Sequence, residues 1–222
     1  MHYRNRLSRL VTAAAALAVG LGVGFPATAQ AQATAYPGMT IRAADRICSV
    51  GATGHMGSAQ YAVTAAHCFQ SGARVYNANG GIIGWFEQSY GDDSTTANLG
   101  FALIRLANNV GISASLGTFG IQSTYTQPFV GEGVCHVGSA TTWTCGTITS
   151  VGDNHFVTDF YADRGDSGGI VYNQTPEGRA AFLGILIGGR ESGGVVVETA
   201  NYLRDTIDAH AVGNDSFRWY IE

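Results

Sequence analysis

At 222 residues, 45% of them hydrophobic and only 13% charged, the chain can bury a full core unaided, and undivided all-β domains commonly reach this size. Its formal charge of -4 excludes nucleic acid and anionic membrane as main partners. The 31 glycines against four prolines point to short strands joined by tight turns, and away from helical bundles and disordered linkers.

Residues 1–33 read as a signal peptide. Arg4, Arg6 and Arg9 precede an apolar run from Leu10 to Val23, and a small-residue pattern follows from Ala27 to Ala33. The run is too short and too rich in Ala and Gly for a stable membrane span. Its removal takes three of the 12 basic residues and none of the 16 acidic ones, which leaves a formal charge of -7 on a secreted, extracellular chain with no membrane partner.

Further along, apolar, β-branched and aromatic runs predict strands at Ile82–Phe86, Phe101–Leu106, Gly146–Val151, Phe156–Tyr161, Phe182–Ile187 and Val195–Val197. Hairpin signals stand between them at Asn79-Gly80-Gly81, Gly152-Asp153-Asn154 and Thr175-Pro176-Glu177-Gly178. A sandwich or barrel follows. Tyr202, Leu203, Ile207 and Ala211 fall at helical spacing and predict a closing helix. Any join between two subdomains falls in Gly111 to Pro128, where Gly, Ser and Thr dominate.

All four cysteines, Cys48, Cys68, Cys135 and Cys145, lie beyond the leader, so an exported chain should form two disulfides. Three pairings are open. Cys135 with Cys145 would close a local loop, and Cys48 with Cys68 a second loop beside His67. No Cys-x-x-Cys or His-x-His cluster suggests a metal, and no cofactor motif is present.

A serine hydroxyl attacks only when a base takes its proton, and histidine is poised for that near neutral pH. Two segments supply such a pair. Val63-Thr64-Ala65-Ala66-His67-Cys68 ends an apolar strand on a histidine, and Arg164-Gly165-Asp166-Ser167-Gly168-Gly169 sets a serine in a glycine-rich turn. Such glycines allow the backbone to aim N–H groups at a developing oxyanion, with Gly165 and Ser167 as the donors.

Thr-Ala-Ala-His-Cys together with Gly-Asp-Ser-Gly-Gly resembles the signature of the chymotrypsin family of serine proteases. Thr40-Ile41-Arg42-Ala43 before Cys48, and Val134-Cys135-His136-Val137-Gly138-Ser139 before Cys145-Gly146-Thr147-Ile148, are similar to its actinobacterial branch of streptogrisins and α-lytic protease. The resemblance covers essentially all of 34–222. It implies an all-β fold of two six-stranded antiparallel barrels with a C-terminal helix, the first barrel at about 34–118 and the second at about 119–222. It also implies the disulfides Cys48–Cys68 and Cys135–Cys145, and the catalytic residues His67 and Ser167.

Two positions depart from the family pattern. The acid that orients the histidine opens a strand of the form Asp-x-Ala-Leu, and aligning Ala102-Leu103 on it puts Gly100 at that place. The serine expected beside that acid falls on Ile187. In a triad of this kind, replacing the acid by its amide lowers turnover about 10⁴-fold. Asn98 lies about 7 Å back along the same strand face, and Asp92 and Asp93 sit in a neighbouring loop, as the available substitutes. His136 occupies the place where bacterial relatives carry an arginine opposite the buried Asp166, so His136 and Asp166 are expected to pair and hold the oxyanion loop in a pH-sensitive way. Tyr161 stands where trypsin-like members carry an Asp, which argues against Arg or Lys substrates. With Gly188 and Gly189 it would border an open pocket for an apolar side chain. No room is left between leader and mature start for the long pro-region common in the branch.

Together these imply a monomeric serine endopeptidase acting on peptides or proteins through an acyl-enzyme, weakened by Gly100. The competing expectation is a non-catalytic homologue that keeps the groove as a binding protein.

Overall fold

The computed structural model describes residues 33–91, 100–124, 127–174, 179–189, 193–211 and 215–222, all within the unit from Gln32 to Glu222. Its strands are β1 (Thr34–Ala35), β2 (Thr40–Ala43), β3 (Arg46–Ser49), β4 (Ala52–Met56), β5 (Ala59–Ala65), β6 (Arg74–Asn77), β7 (Ile82–Gly91), β8 (Gly100–Leu106) and β9 (Gly111–Ile112) in the first half. There follow β10 (Ile121–Thr124), β11 (Gly133–Gly138), β12 (Thr142–Val151), β13 (His155–Thr158), β14 (Ile170–Gln174), β15 (Ala180–Gly189), β16 (Val195–Thr199), the helix α1 (Ala200–His210) and β17 (Arg218–Trp219). One 3₁₀ turn, Ala66–Cys68, continues from β5. No helix among the described residues is long and apolar enough to cross a membrane.

The expected pair of six-stranded barrels is met in one half. Strands β15, β14, β11, β12, β13 and β16 form a ring that closes by β15–β16 pairing, with β10 added in parallel outside β15. The other half is an eight-stranded sheet in the order β17-β4-β5-β8-β7-β6-β2-β3, which does not close by strand pairing among the described residues. At one edge β4 pairs with β17, with Arg218 opposite His55 and Trp219 opposite Gly54. A segment assigned from sequence to the second barrel thus completes the first sheet.

Burial explains why some strands alternate and others do not. Ala180–Ile187 of β15 is buried throughout because its two faces serve two cores. Leu183 and Leu186 fill the closed barrel, while Phe182, Ile185 and Ile187 pack with Ala65, Phe101 and Leu203 in the larger cluster. The helix forms as its spacing predicts. Thr199 caps it by accepting from Tyr202 N–H, and Ala200, Leu203 and Ile207 are its buried residues. Asn79-Gly80-Gly81 and Gly152-Asp153-Asn154 do turn hairpins. The turn expected at 175–178 lies outside the described residues, although its flanking strands β14 and β15 pair antiparallel.

Candidate active site

His67 sits on the 3₁₀ turn after β5, and Ser167 in the turn that precedes β14. What unites them is the contact between the two halves at the foot of each motif. A side chain on Gly168 would put its Cβ 2.1 Å from Thr64 Oγ1 and 2.5 Å from the Ser49 carbonyl, and Gly168 holds φ +85. Only glycine permits so close an approach in that conformation. The approach brings the strand that leads to His67 against the turn that carries Ser167.

His67, Gly165 and Ser167 line one open cavity of about 350 Å³, together with Ile47 and Cys48. Arg46 and Arg164 line it too. The N–H groups of Gly165 and Ser167 make no hydrogen bond among the described residues, whereas those of Asp166, Gly168 and Gly169 are all used. Gly165 takes φ +111. Two unspent donors, one on either side of Asp166, in a cavity that Ser167 and His67 also line, are what oxyanion stabilisation requires.

The loop is held from beneath by Asp166, whose side chain is fully buried. Its Oδ1 accepts from the N–H groups of Ala140 (2.8 Å) and Thr141 (3.1 Å), and its Oδ2 from that of Asp163 (2.9 Å). His136, also fully buried, places Nε2 3.8 Å from Oδ1, donates Nδ1–H to the Ile170 carbonyl at 3.1 Å and stacks on Phe160. At 3.8 Å the contact is too long for a hydrogen bond, and Nε2 has no hydrogen-bond partner among the described residues. Burial pushes the Asp166 carboxyl up, but the His136 contact and the three amides outweigh it and hold the group far below the usual carboxylate range.

Sequence reasoning missed Ser49, which stitches the halves together. It is fully buried and donates Oγ–H to the Gly165 carbonyl while accepting from Ser139 N–H, both at 2.8 Å. Its backbone N–H donates to the Ser167 carbonyl, and its own carbonyl accepts from Thr64 Oγ1. A serine after a cysteine carries no signal of such a role. Ser49→Ala strands the Ser139 N–H and frees the Gly165 carbonyl, at a cost of about 1–3 kcal/mol. We expect a lower denaturant midpoint together with a slower reaction of Ser167, measured by urea unfolding and by active-serine labelling.

His67 is exposed along one side, yet desolvation by its surroundings, and secondarily the Arg46 charge, lowers its pKa from the ordinary 6.5. Arg46 also donates from Nη1 to the His67 carbonyl. No side chain among the described residues hydrogen-bonds the ring. Gly100 occupies the expected place of the orienting acid at φ +138, where an added Cβ would lie 2.4 Å from the Tyr90 carbonyl, 2.7 Å from Gly91 Cα and 3.1 Å from Ala66 Cβ. Ile187 is buried in the apolar cluster that contains Ala65 and Phe101. Asn98, Asp92 and Asp93 lie outside the described residues.

Both disulfides, Cys48–Cys68 and Cys135–Cys145, are formed. The first packs its sulfurs within 4.8 Å of a His67 ring nitrogen, but sulfurs bonded to one another offer no thiolate to a metal. At the pocket expected beside Tyr161, a Cβ on Gly188 would meet nothing within 4 Å, and one on Gly189 only the Gly194 carbonyl at 3.7 Å. Tyr161 itself is exposed and donates its OH to Asp163.

The trypsin family model matches residues 27–204. The chain belongs to the trypsin family. An uncharacterized protein of Mycobacterium tuberculosis (strain CDC 1551 / Oshkosh) is 34% identical over 164 residues, covering 68% of this chain and 72% of its own. Among solved structures, Thermobifida fusca protease A covers 86% of this chain and all of its own at TM-score 0.66 and 22% identity. A Nocardiopsis protease covers 78% and 96% at TM-score 0.64 and 26% identity. The chain is thus a trypsin-like serine protease by fold, of the kind found in actinobacterial enzymes.

Proposed function

We propose that the chain is a secreted serine endopeptidase working through an acyl-enzyme on Ser167, with its leader 1–33 removed and the open sheet serving as the first of two barrels. The observation that carries this reading is the single cavity lined by Ser167, His67 and Gly165, with the backbone N–H groups of Gly165 and Ser167 unspent among the described residues. His67 takes the Ser167 proton as Oγ attacks the scissile carbonyl. The developing oxyanion is received by the Gly165 and Ser167 N–H groups, which cost no reorganisation because the Asp166 and Ser49 bonds already fix their loop. His67 then passes its proton to the leaving amine, and water repeats the cycle on the ester. Asp166 and His136 serve as the loop-stabilising pair, and the open space by Gly188 and Gly189, bordered by Tyr161, takes an apolar side chain.

Turnover is weakened at one step. The lowered His67 pKa keeps the ring in its base form, but no carboxylate among the described residues stabilises the imidazolium that forms in the transition state. That same absence favours the second reading, a non-catalytic binder using the groove. A fluorophosphonate probe separates the two. Labelling that disappears in Ser167→Ala is expected, and no Ser167-dependent labelling from pH 5 to 10 would leave the binder.

A further inference from the structure

The Ser167 cavity carries a charge that the reaction does not need. In a chain of net charge -4, two of the 12 basic residues line this one cavity and no carboxylate does. Both Arg46 and Arg164 are exposed, and neither forms an ion pair with a carboxylate among the described residues. Arg46 is anchored by one guanidinium nitrogen on the His67 carbonyl, which leaves its remaining donors available. The nearest acid in sequence to Arg164, Asp163, is engaged locally. It accepts from the Arg164 backbone N–H at 2.6 Å and from the Tyr161 hydroxyl at 3.3 Å. Ile47 and Cys48 line the cavity beside the two arginines.

The chemistry says which part of a substrate lies there. His67 must hand its proton to the departing amine, so the segment that leaves occupies the side lined by His67, its neighbouring disulfide and Arg46. The pocket expected at Gly188 and Gly189 shares none of these residues. We propose that Arg46 and Arg164 form an acid-reading subsite for the leaving segment, so that the preferred substrates carry Asp or Glu at the first or second residue after the scissile bond. The planar guanidinium matches a carboxylate in two-point geometry, which Gln of the same shape cannot exploit through charge. This inference rests on the acyl-enzyme reading for its direction along the peptide, but not for the existence of the subsite.

Binding therefore tests it apart from turnover. Fluorescent peptides identical except for Glu, Gln or Lys at those two positions are titrated against the Ser167→Ala chain by anisotropy. Glu is expected to bind about tenfold tighter than Gln and tighter still than Lys, with the advantage shrinking as salt rises. In Arg46→Gln/Arg164→Gln the Glu to Gln ratio is expected to fall close to one, and in Arg164→Gln alone to an intermediate value, with thermal melts checking that each variant is folded. Equal binding of Glu and Gln, or a ratio unmoved in the double variant, overturns the proposal even if Ser167 labels normally. A Glu preference that vanishes with the arginines while Ser167 fails to label supports the subsite and removes the hydrolase.

Discussion

Replacing Gly100 by aspartate, which would put an acid where the family pattern places one, is expected to destabilise the chain by about 3 kcal/mol or more and to leave turnover no higher. Gly100 differs from the acid expected there by more than a side chain. At φ +138 the backbone is in a region that side chains rarely enter, and the new Cβ would meet the Tyr90 carbonyl at 2.4 Å and Gly91 Cα at 2.7 Å. Those are main-chain atoms of the paired strand β7 and cannot swing aside as a side-chain tip would. Relief requires parting β7 from β8 where Gly91 faces Gly100, next to the turn that carries His67. Urea unfolding and ester hydrolysis of the two proteins check this. A variant as stable as its parent with turnover raised about a hundredfold or more would mean that the strand end relaxes freely.

Asp166→Asn is expected to cost about 3–5 kcal/mol, as breaking a buried charged cluster does. The carboxylate accepts three backbone N–H groups from two segments and faces His136. An amide can offer its oxygen to Ala140 and Thr141 only by turning its own N–H groups on Asp163. The loop that carries Ser167 then loses its support, and Ser167 labelling is expected to slow with stability. The pH dependence has a definite sign. Because the folded carboxyl is held below its unfolded value, its contribution is complete above about pH 4 and declines as the pH falls further towards the folded pKa. Between pH 7 and 3 the stability gap between parent and variant should narrow. A gap constant over that range would exclude the carboxylate charge as the source.

Residues with a chemical reason for their type were legible in the sequence. His67 and Ser167, read from their motifs as a base and a nucleophile, do line one cavity, and His136, expected opposite Asp166 from the family resemblance, lies 3.8 Å from it. Gly100 was legible as a departure, but not its cause, because neither its positive φ nor the Tyr90 carbonyl behind it leaves a mark on neighbouring residues. Ser49 and Thr64 were invisible, since a polar residue bridging two distant segments has no local pattern. So were Arg46 and Arg164, whose convergence on one cavity depends on the halves meeting. Strand ends were also misjudged. β13 stops at Thr158 and not Tyr161 because Asp159 turns its carboxylate onto the Thr147 N–H at 2.6 Å. β17 is two residues long and carries no periodicity at all.

That short strand bears on how the molecule is assembled. Phe217 and Trp219 stack edge to face, and Trp219 meets Phe182 likewise. Tyr220 N–H donates to the Thr53 carbonyl and Glu222 N–H to that of Ile121. During synthesis the leading half therefore emerges with one sheet edge bare until the trailing residues clasp it. Such long-range closure makes folding slow and makes both halves together, with the trailing strand β17, the piece that brings His67 and Ser167 to one cavity.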